Sequence, residues 1–279
     1  MRILLTGGNG QVGGELNKTL APLGELTALG RAELDLAQPD RIREVVREAK
    51  PGVIVNAAAY TAVDRAESER DAAFAVNATA PGVLAEEAKR AGALLVHYST
   101  DYVFDGAKPA AYVEEDEPNP INVYGASKLA GERAIVGSGC RHLILRTSWV
   151  YGPRGSNFFL TMLRLARERP ELRVVDDQVG APTSSLAIAR GTAQLLTRRA
   201  QGLYHMTAAG ETSWCGFARA ILSSAGLAIP VVAIRTEDYP APARRPRNSR
   251  LDCSRLRADC GVSLAPWEEQ LSEVTLVAP

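Results

Sequence analysis

The chain has 279 residues, 46% hydrophobic and 23% charged, and its 32 basic side chains balance 32 acidic ones. A chain of this length fits one large α/β domain, or a core with a smaller appendage, and buries its apolar surface without staples. Zero net charge excludes a general nucleic-acid binder, which needs a basic surface, and no apolar run reaches the length of a membrane span.

The elements follow in chain order. Residues 2–6 are an apolar run ended by glycines, and they predict a first strand. Residues 10–20 carry Val12, Leu16 and Leu20 at helical spacing. A second strand is expected at 25–29, then a helix started near Pro39-Asp40 and marked by Ile42, Val45 and Val46. Further strands are expected at 53–56, 93–98 and 143–146, the last after a helix over 123–135. Such a series, with near-continuous apolar runs, predicts a parallel sheet covered on both faces. Beyond about residue 151 the pattern loosens, with helices near 158–168, 185–199 and 213–225 and strands near 173–175 and 231–234. The Pro/Arg stretch 240–247 reads as a loop. Residues 1–150 therefore read as a sheet-forming core domain, and 151–279 mainly as a smaller lobe interleaved with it.

Cys140, Cys215, Cys253 and Cys260 make no CxxC pair, and the three histidines lie far apart in sequence. Free thiols in a reducing cytoplasm are expected, without zinc or disulfides. Met1 to Thr6 runs straight into glycines, unlike a signal peptide.

Gly7, Gly10 and Gly13 form a GxxGxxG spacing between the first strand and the first helix. The turn needs a residue without Cβ, the backbone must approach a pyrophosphate, and the helix must pack tightly on its strand. The helix N-terminus then offers N–H groups to the phosphates. After the second strand stands Arg31, with Asp35 and Leu36 just beyond. An arginine there favours a 2′-phosphate and so NADPH, with NADH left open. Asn56-Ala57-Ala58-Ala59 supplies small side chains where a cofactor lies close to the backbone.

Tyr124 and Lys128 share one helical face. A cation beside the phenol favours its ionised form, so Tyr124 suits a general acid for carbonyl reduction. Ser99 and Thr100 compete for the hydroxyl that orients the substrate oxygen. Each motif alone has a bland reading: a glycine turn, a solvated arginine, an exposed Tyr/Lys face, a capping hydroxyl.

Together these residues resemble the extended short-chain dehydrogenase/reductases, and more narrowly the dTDP-4-dehydrorhamnose reductase family. The resemblance runs almost end to end, through LLTGGNGQVG, VNAAAYTAVDRAESE, YSTDYVFDG, PINVYGASKLAGE, LRTSWVYG, NFFLTML, DDQVGAPTSS and RRPRNSRLDCSRL. It implies a Rossmann-like doubly wound parallel sheet with a smaller C-terminal substrate-binding lobe. It also implies an oxidoreductase that transfers a hydride from NAD(P)H to the C4 ketone of a nucleotide-linked deoxysugar. By position, it places Gly10, Gln11 and Val12 on the pyrophosphate, and Asp35 and Leu36 near the adenine. Ala58, Ala59 and Thr61 fall to the nicotinamide half, and Thr100, Tyr124 and Lys128 to catalysis. Asp101, Trp149 and Val63 fall to the sugar, and Asn157 and Arg245 to the nucleotide sugar. Some members of the family dimerise around magnesium held by two glutamates. Glu15 matches the first, but Leu186 stands at the second, which puts magnesium and that homodimer in doubt. A sugar 4,6-dehydratase would follow Asp101 with a second acid, where Tyr102 stands, and the RPRNSRL block points away from a 4-epimerase. The motifs leave one reading of another class open: a cofactor-holding regulatory subunit like the beta subunit of methionine adenosyltransferase.

Overall fold

The computed structural model describes residues 1–277. Its first half runs β1 (Arg2–Thr6), α1 (Gln11–Leu20), β2 (Glu25–Leu29), α2 (Pro39–Ala49), β3 (Val53–Asn56), α3 (Val63–Ala66), α4 (Arg70–Phe74) and α5 (Ala80–Ala91). β4 (Leu94–Thr100), α6 (Val123–Ser138) and β5 (Arg141–Thr147) follow. Next come β6 (Val150–Tyr151), α7 (Phe158–Glu168), β7 (Leu172–Val175), β8 (Val179–Gly180), β9 (Thr183–Ser184), α8 (Ser185–Thr197) and β10 (Gly202–His205). β11 (Thr212–Ser213), α9 (Trp214–Ser224), β12 (Val231–Ile234), α10 (Ser254–Cys260) and α11 (Trp267–Val277) complete the chain.

Six strands pair in parallel in the order β10-β5-β4-β3-β1-β2. The direction of winding reverses between β1 and β3, which opens a crevice at their carboxyl ends. Side chains alternate across the sheet. Ile3, Leu5, Val55, Val96 and Leu145 pack with Leu16 and Leu20 of α1 and Ile188 and Leu195 of α8. The intervening Leu4, Ile54, Leu95 and Ile144 pack with Ile42 of α2, Leu84 of α5 and Ile135 of α6. Because both faces are covered, the strands read as apolar runs. Each fully buried Leu or Ile contributes roughly 1.5–3 kcal/mol of transfer free energy. A separate core joins α7, α9 and α11 through Phe159, Met162, Phe217, Ile221 and Leu271.

The sheet is the doubly wound parallel one that the sequence predicts, with one strand more. β10 comes from the second half and pairs with β5. Its sequence, Gly-Leu-Tyr-His, offers no apolar run. α3, α4 and α5 occupy a stretch for which the sequence suggested no element, and α10 and α11 were likewise unexpected. Residues 240–247 form neither helix nor strand, as predicted. No helix among the described residues is long and apolar enough to cross a membrane.

Candidate active site

The chain turns sharply after β1. Gly7 has a φ of +71°, and a Cβ on it would lie 2.7 Å from the Ala58 nitrogen, so the loops after β1 and β3 touch across the crevice. A Cβ on Gly13 would land on the Gly7 carbonyl oxygen, which is why α1 can lie flush against the turn. Gly10 N–H donates to the Gly7 carbonyl at 2.9 Å. No side chain caps α1, so the N–H groups of Gln11 and Val12 remain for an anion. These features fit a dinucleotide pyrophosphate. Ala58 and Ala59 are half-buried beside the turn, and Thr61 is exposed. The Arg31 side chain is 88% exposed and meets only Asp35, at 3.8 Å. Asp35 accepts from the Ala37 N–H at 3.0 Å. Leu36 differs from expectation: its side chain is buried in the core with Ile42, so any contact with an adenine falls to its backbone.

Thr100 ends β4, and Tyr124 and Lys128 lie one turn apart on α6. Asn122 starts that helix by accepting from Gly125 N–H at 2.7 Å, while its own amide donates to the Arg244 carbonyl at 2.8 Å. A Cβ on Gly125 would collide with the Tyr102 carbonyl, so only glycine lets α6 approach the end of β4 this closely. The Thr100 hydroxyl donates to Asp101 at 3.0 Å and accepts from Tyr102 N–H at 3.1 Å. Ser99, its competitor in the sequence, is buried with no hydrogen-bond partner for its hydroxyl among the described residues. Lys128 donates to the Tyr98 carbonyl at 2.6 Å and lies 3.1 Å from His97 Nε2.

The electrostatics are those of a closed site. Burial lowers Lys128 to about 8, against a smaller upward pull from Glu132. Burial raises Asp101 to about 6, opposed by the Ser249 and Thr100 hydroxyls. Tyr124 is pushed well above its ordinary value by burial and by the Asp101 charge, with the Thr100 hydroxyl pulling the other way. Here the structure differs from the sequence-based expectation of a lowered phenol. Desolvation dominates and keeps Tyr124 protonated.

The sugar-side candidates divide. Trp149, held at a φ of +49°, stacks on Trp214 with ring centroids 3.6 Å apart, and Gly180 lies against its ring. Tyr102 packs edge-on against Tyr124 at 5.7 Å. Arg245 grips Asp64 of α3 with two hydrogen bonds, at 2.6 and 2.7 Å, beside Val63. Asn157 caps α7, and its amide donates to Gln11 at 2.8 Å and to the carbonyls of Gly152 and Arg154. Gln11 and Asn157, assigned separately to cofactor and substrate, thus bond to each other. Asp64, Trp214, His97 and Asn56 were not singled out in the sequence. Only spatial neighbours reveal them, apart from the family block that contains Asn56 and Asp64.

Glu15 is buried, and its carboxylate meets Lys18 at 2.9 Å and Arg154 at 3.2 Å. Two cations already face it and Leu186 offers no side-chain oxygen, so these residues do not fit the magnesium site that the family resemblance raised. Among the described residues no cluster of three or more His, Cys, Asp or Glu is placed to hold a metal.

A doubly wound sheet with its glycine turn at the switch point, and a Thr–Tyr–Lys cluster one strand away, is the architecture of the extended short-chain dehydrogenase/reductases. The model of the RmlD substrate binding domain family matches residues 1–277, and the chain belongs to that family. It is 52% identical over 284 residues to a dTDP-4-dehydrorhamnose reductase of Burkholderia thailandensis, covering 96% of this chain and 95% of that one. It is 45% identical over 283 residues to the enzyme of the same name from Escherichia coli K12, with the same coverage. A Bacillus anthracis dTDP-4-dehydrorhamnose reductase solved in complex with NADP superposes with a TM-score of 0.96 at 39% identity, covering 99% of both chains.

Proposed function

We propose that the protein is an NADPH-dependent oxidoreductase that reduces the C4 ketone of dTDP-4-dehydro-L-rhamnose to the hydroxyl of dTDP-L-rhamnose, with NADH as a second donor. The observation that supports this reading best is that Tyr124 and Lys128, one turn apart on α6, face the end of β4, where the Thr100 hydroxyl bears on Tyr124, Lys128 donates to the Tyr98 carbonyl, and Asp101 is the one carboxylate. Gln11 and Val12 would hold the pyrophosphate, Arg31 a 2′-phosphate, and Ala58, Ala59 and Thr61 the nicotinamide half. When bound, the reduced nicotinamide supplies a hydride to C4. Tyr124 gives its phenolic proton to the C4 oxygen, so hydride and proton together saturate the carbonyl. Lys128 stabilises the phenolate left behind. Thr100 turns its hydroxyl from Asp101 to the substrate oxygen and orients it. Trp149, Asp101 and Val63 shape the sugar side, with Asn157 and Arg245 further out. The four free cysteines are in keeping with a cytoplasmic setting.

Mixing the purified protein with NADPH and dTDP-4-dehydrorhamnose tests the reading. Loss of NADPH absorbance with formation of the 4-hydroxy sugar is the expected outcome. Tight NADPH binding without turnover would sink it in favour of a cofactor-holding regulatory subunit.

A further inference from the structure

Four buried polar side chains run in a line across the sheet beneath the site. Thr6 ends β1, Asn56 ends β3, His97 lies on β4 and Lys128 on α6. Thr6 Oγ1 donates to Asn56 Oδ1 at 2.7 Å, Asn56 Nδ2 lies 3.1 Å from His97 Nδ1, and His97 Nε2 lies 3.1 Å from Lys128 Nζ. Thr6, Asn56 and His97 are each 1% exposed and Lys128 is 2% exposed. No carboxylate pairs with Lys128 among the described residues. The nearest acid on its helix, Glu132, is gripped by Arg146 through hydrogen bonds of 2.9 and 2.7 Å.

This line has two self-consistent hydrogen-bond patterns, because an Asn amide can present either end. With its nitrogen toward His97, Nδ1 accepts, the ring proton sits on Nε2, and Lys128 must be a neutral amine to receive it. With its oxygen toward His97, Nδ1–H donates to Asn56, the Asn56 nitrogen donates to Thr6, and Nε2 is free to accept from an ammonium. Burial lowers Lys128 only to about 8, so at neutral pH the ammonium is the main form. Burial and the Lys128 charge hold His97 well below its ordinary value, so it is neutral. An ammonium has no lone pair, which selects the second pattern and so exchanges the Asn56 Oδ1 and Nδ2 positions, a half-turn of the amide that leaves every heavy-atom distance in the line unchanged.

We propose that His97 is a positioning residue for Lys128: its Nε2 accepts one ammonium N–H, the Tyr98 carbonyl accepts a second, and Asn56 and Thr6 hold the ring in the Nδ1–H tautomer. The third N–H is left for the cleft. The line ends at a buried threonine, so it fixes a charge and a direction; it does not carry protons to solvent. This rests on the reductase reading for its purpose, but not for its geometry. The ionisable groups around Lys128 are Tyr124 and Glu132 on its own helix, His97, Tyr98 and Asp101 on or next to β4, and Arg146 on β5. The Glu132–Arg146 pair is neutral overall, and the Tyr98 hydroxyl points away to Thr192 at 2.8 Å.

The chain has three histidines, so 15N-labelled protein resolves their rings by long-range 1H–15N correlation in the NADPH complex. The expected result is a neutral His97 from about pH 6 to about pH 9 with the proton on Nδ1. Its Nε2 signal should titrate with Lys128 near pH 8, and that titration should vanish in Lys128→Met. An Nε2–H tautomer, or an imidazolium at pH 6, overturns the proposal whether or not the protein turns over a sugar. In the NADPH-oxidation assay, His97→Leu should shift the alkaline limb of kcat down by about one pH unit, as expected for a lost charge-assisted hydrogen bond. His97→Gln, which keeps an acceptor, should restore most of that shift. An unmoved limb in a folded His97→Leu protein counts against the role, and no turnover in the parent protein counts against the reductase reading alone.

Discussion

Tyr124 is held as a neutral phenol by burial and by the Asp101 charge, which suits it to the proposed role of proton donor. Tyr124→Phe keeps the ring and its edge-on contact with Tyr102 while removing that proton. It should lower kcat by at least about a hundredfold, in the range of general acid catalysis. NADPH affinity should stay within a few-fold. A mutant with full turnover in the same assay would remove Tyr124 from the mechanism. Arg31 stands exposed with only a long contact to Asp35, and is therefore free to meet a 2′-phosphate. Arg31→Ala should weaken NADPH binding by roughly tenfold and leave NADH nearly unchanged. Equal losses in a fluorescence titration would show that Arg31 does not read the phosphate. At this scale the sequence names Tyr124 and Lys128 through their spacing and leaves Ser99 and Thr100 in competition at the strand end, which only the family resemblance resolves toward Thr100. It does not point to His97, whose function-like contacts are made with residues 41 and 31 positions away.

The first turn, α1 and the loop after β3 act as one element, because three backbones meet there without side chains between them. Gly13→Ala places a methyl on the Gly7 carbonyl oxygen. Either α1 shifts outward or the turn opens, at a cost of about 1–3 kcal/mol for overpacking. The expected outcome is a lower Tm together with weakened NADPH binding, read by thermal unfolding and by titration. Unchanged affinity in a destabilised protein would separate the turn's packing from its use as a cradle. Helices and strands with a strong period are legible in the sequence: β1, α1, β2, β3 and α7 to α9 fall within a residue or two of their predicted bounds. β10 is not, because four mixed residues become a strand only when the edge of β5 offers them partners. α3 and α4 are missed for a similar reason. Each is a turn or so long, and α3 is tied in place by the Asp64–Arg245 contact that comes from far along the chain.

Over the whole molecule, the two halves share one sheet, since α8 and β10 cover and extend the part built by the first half. Buried histidines then couple the fold to pH. His205 is fully buried, with Nδ1 3.1 Å from the Tyr112 carbonyl. Burial, with the Arg146 charge adding to it, lowers His205 from 6.5 to about 3. Between those values the unfolded chain takes up a proton that the folded one refuses. The stability this group contributes is therefore complete above pH 6.5 and is lost as pH falls toward 3, at about 1.4 kcal/mol per pH unit. His97 acts in the same direction. Asp101, raised from 3.8 to about 6, opposes them, since its contribution is lost as pH rises through that window. Tm should fall from pH 6.5 toward pH 4, and less steeply in His205→Gln. Equal slopes in the two proteins would clear His205 of the effect. The interleaving was visible in the sequence only as a loosening of pattern after residue 151, since sheet membership is a matter of which edge is free.

The face-to-face stack of Trp149 on Trp214 has an optical consequence. Only three tryptophans occur in the chain, and the third, Trp267, lies edge-on to Phe217 in the neighbouring core. Two indoles stacked at 3.6 Å couple their electronic transitions. The near-ultraviolet circular dichroism of the protein should therefore carry a paired band belonging to this stack, the proposed sugar-side wall of the cleft. A ligand that tilts Trp149 would change that band without labelling, making the cleft its own spectroscopic reporter.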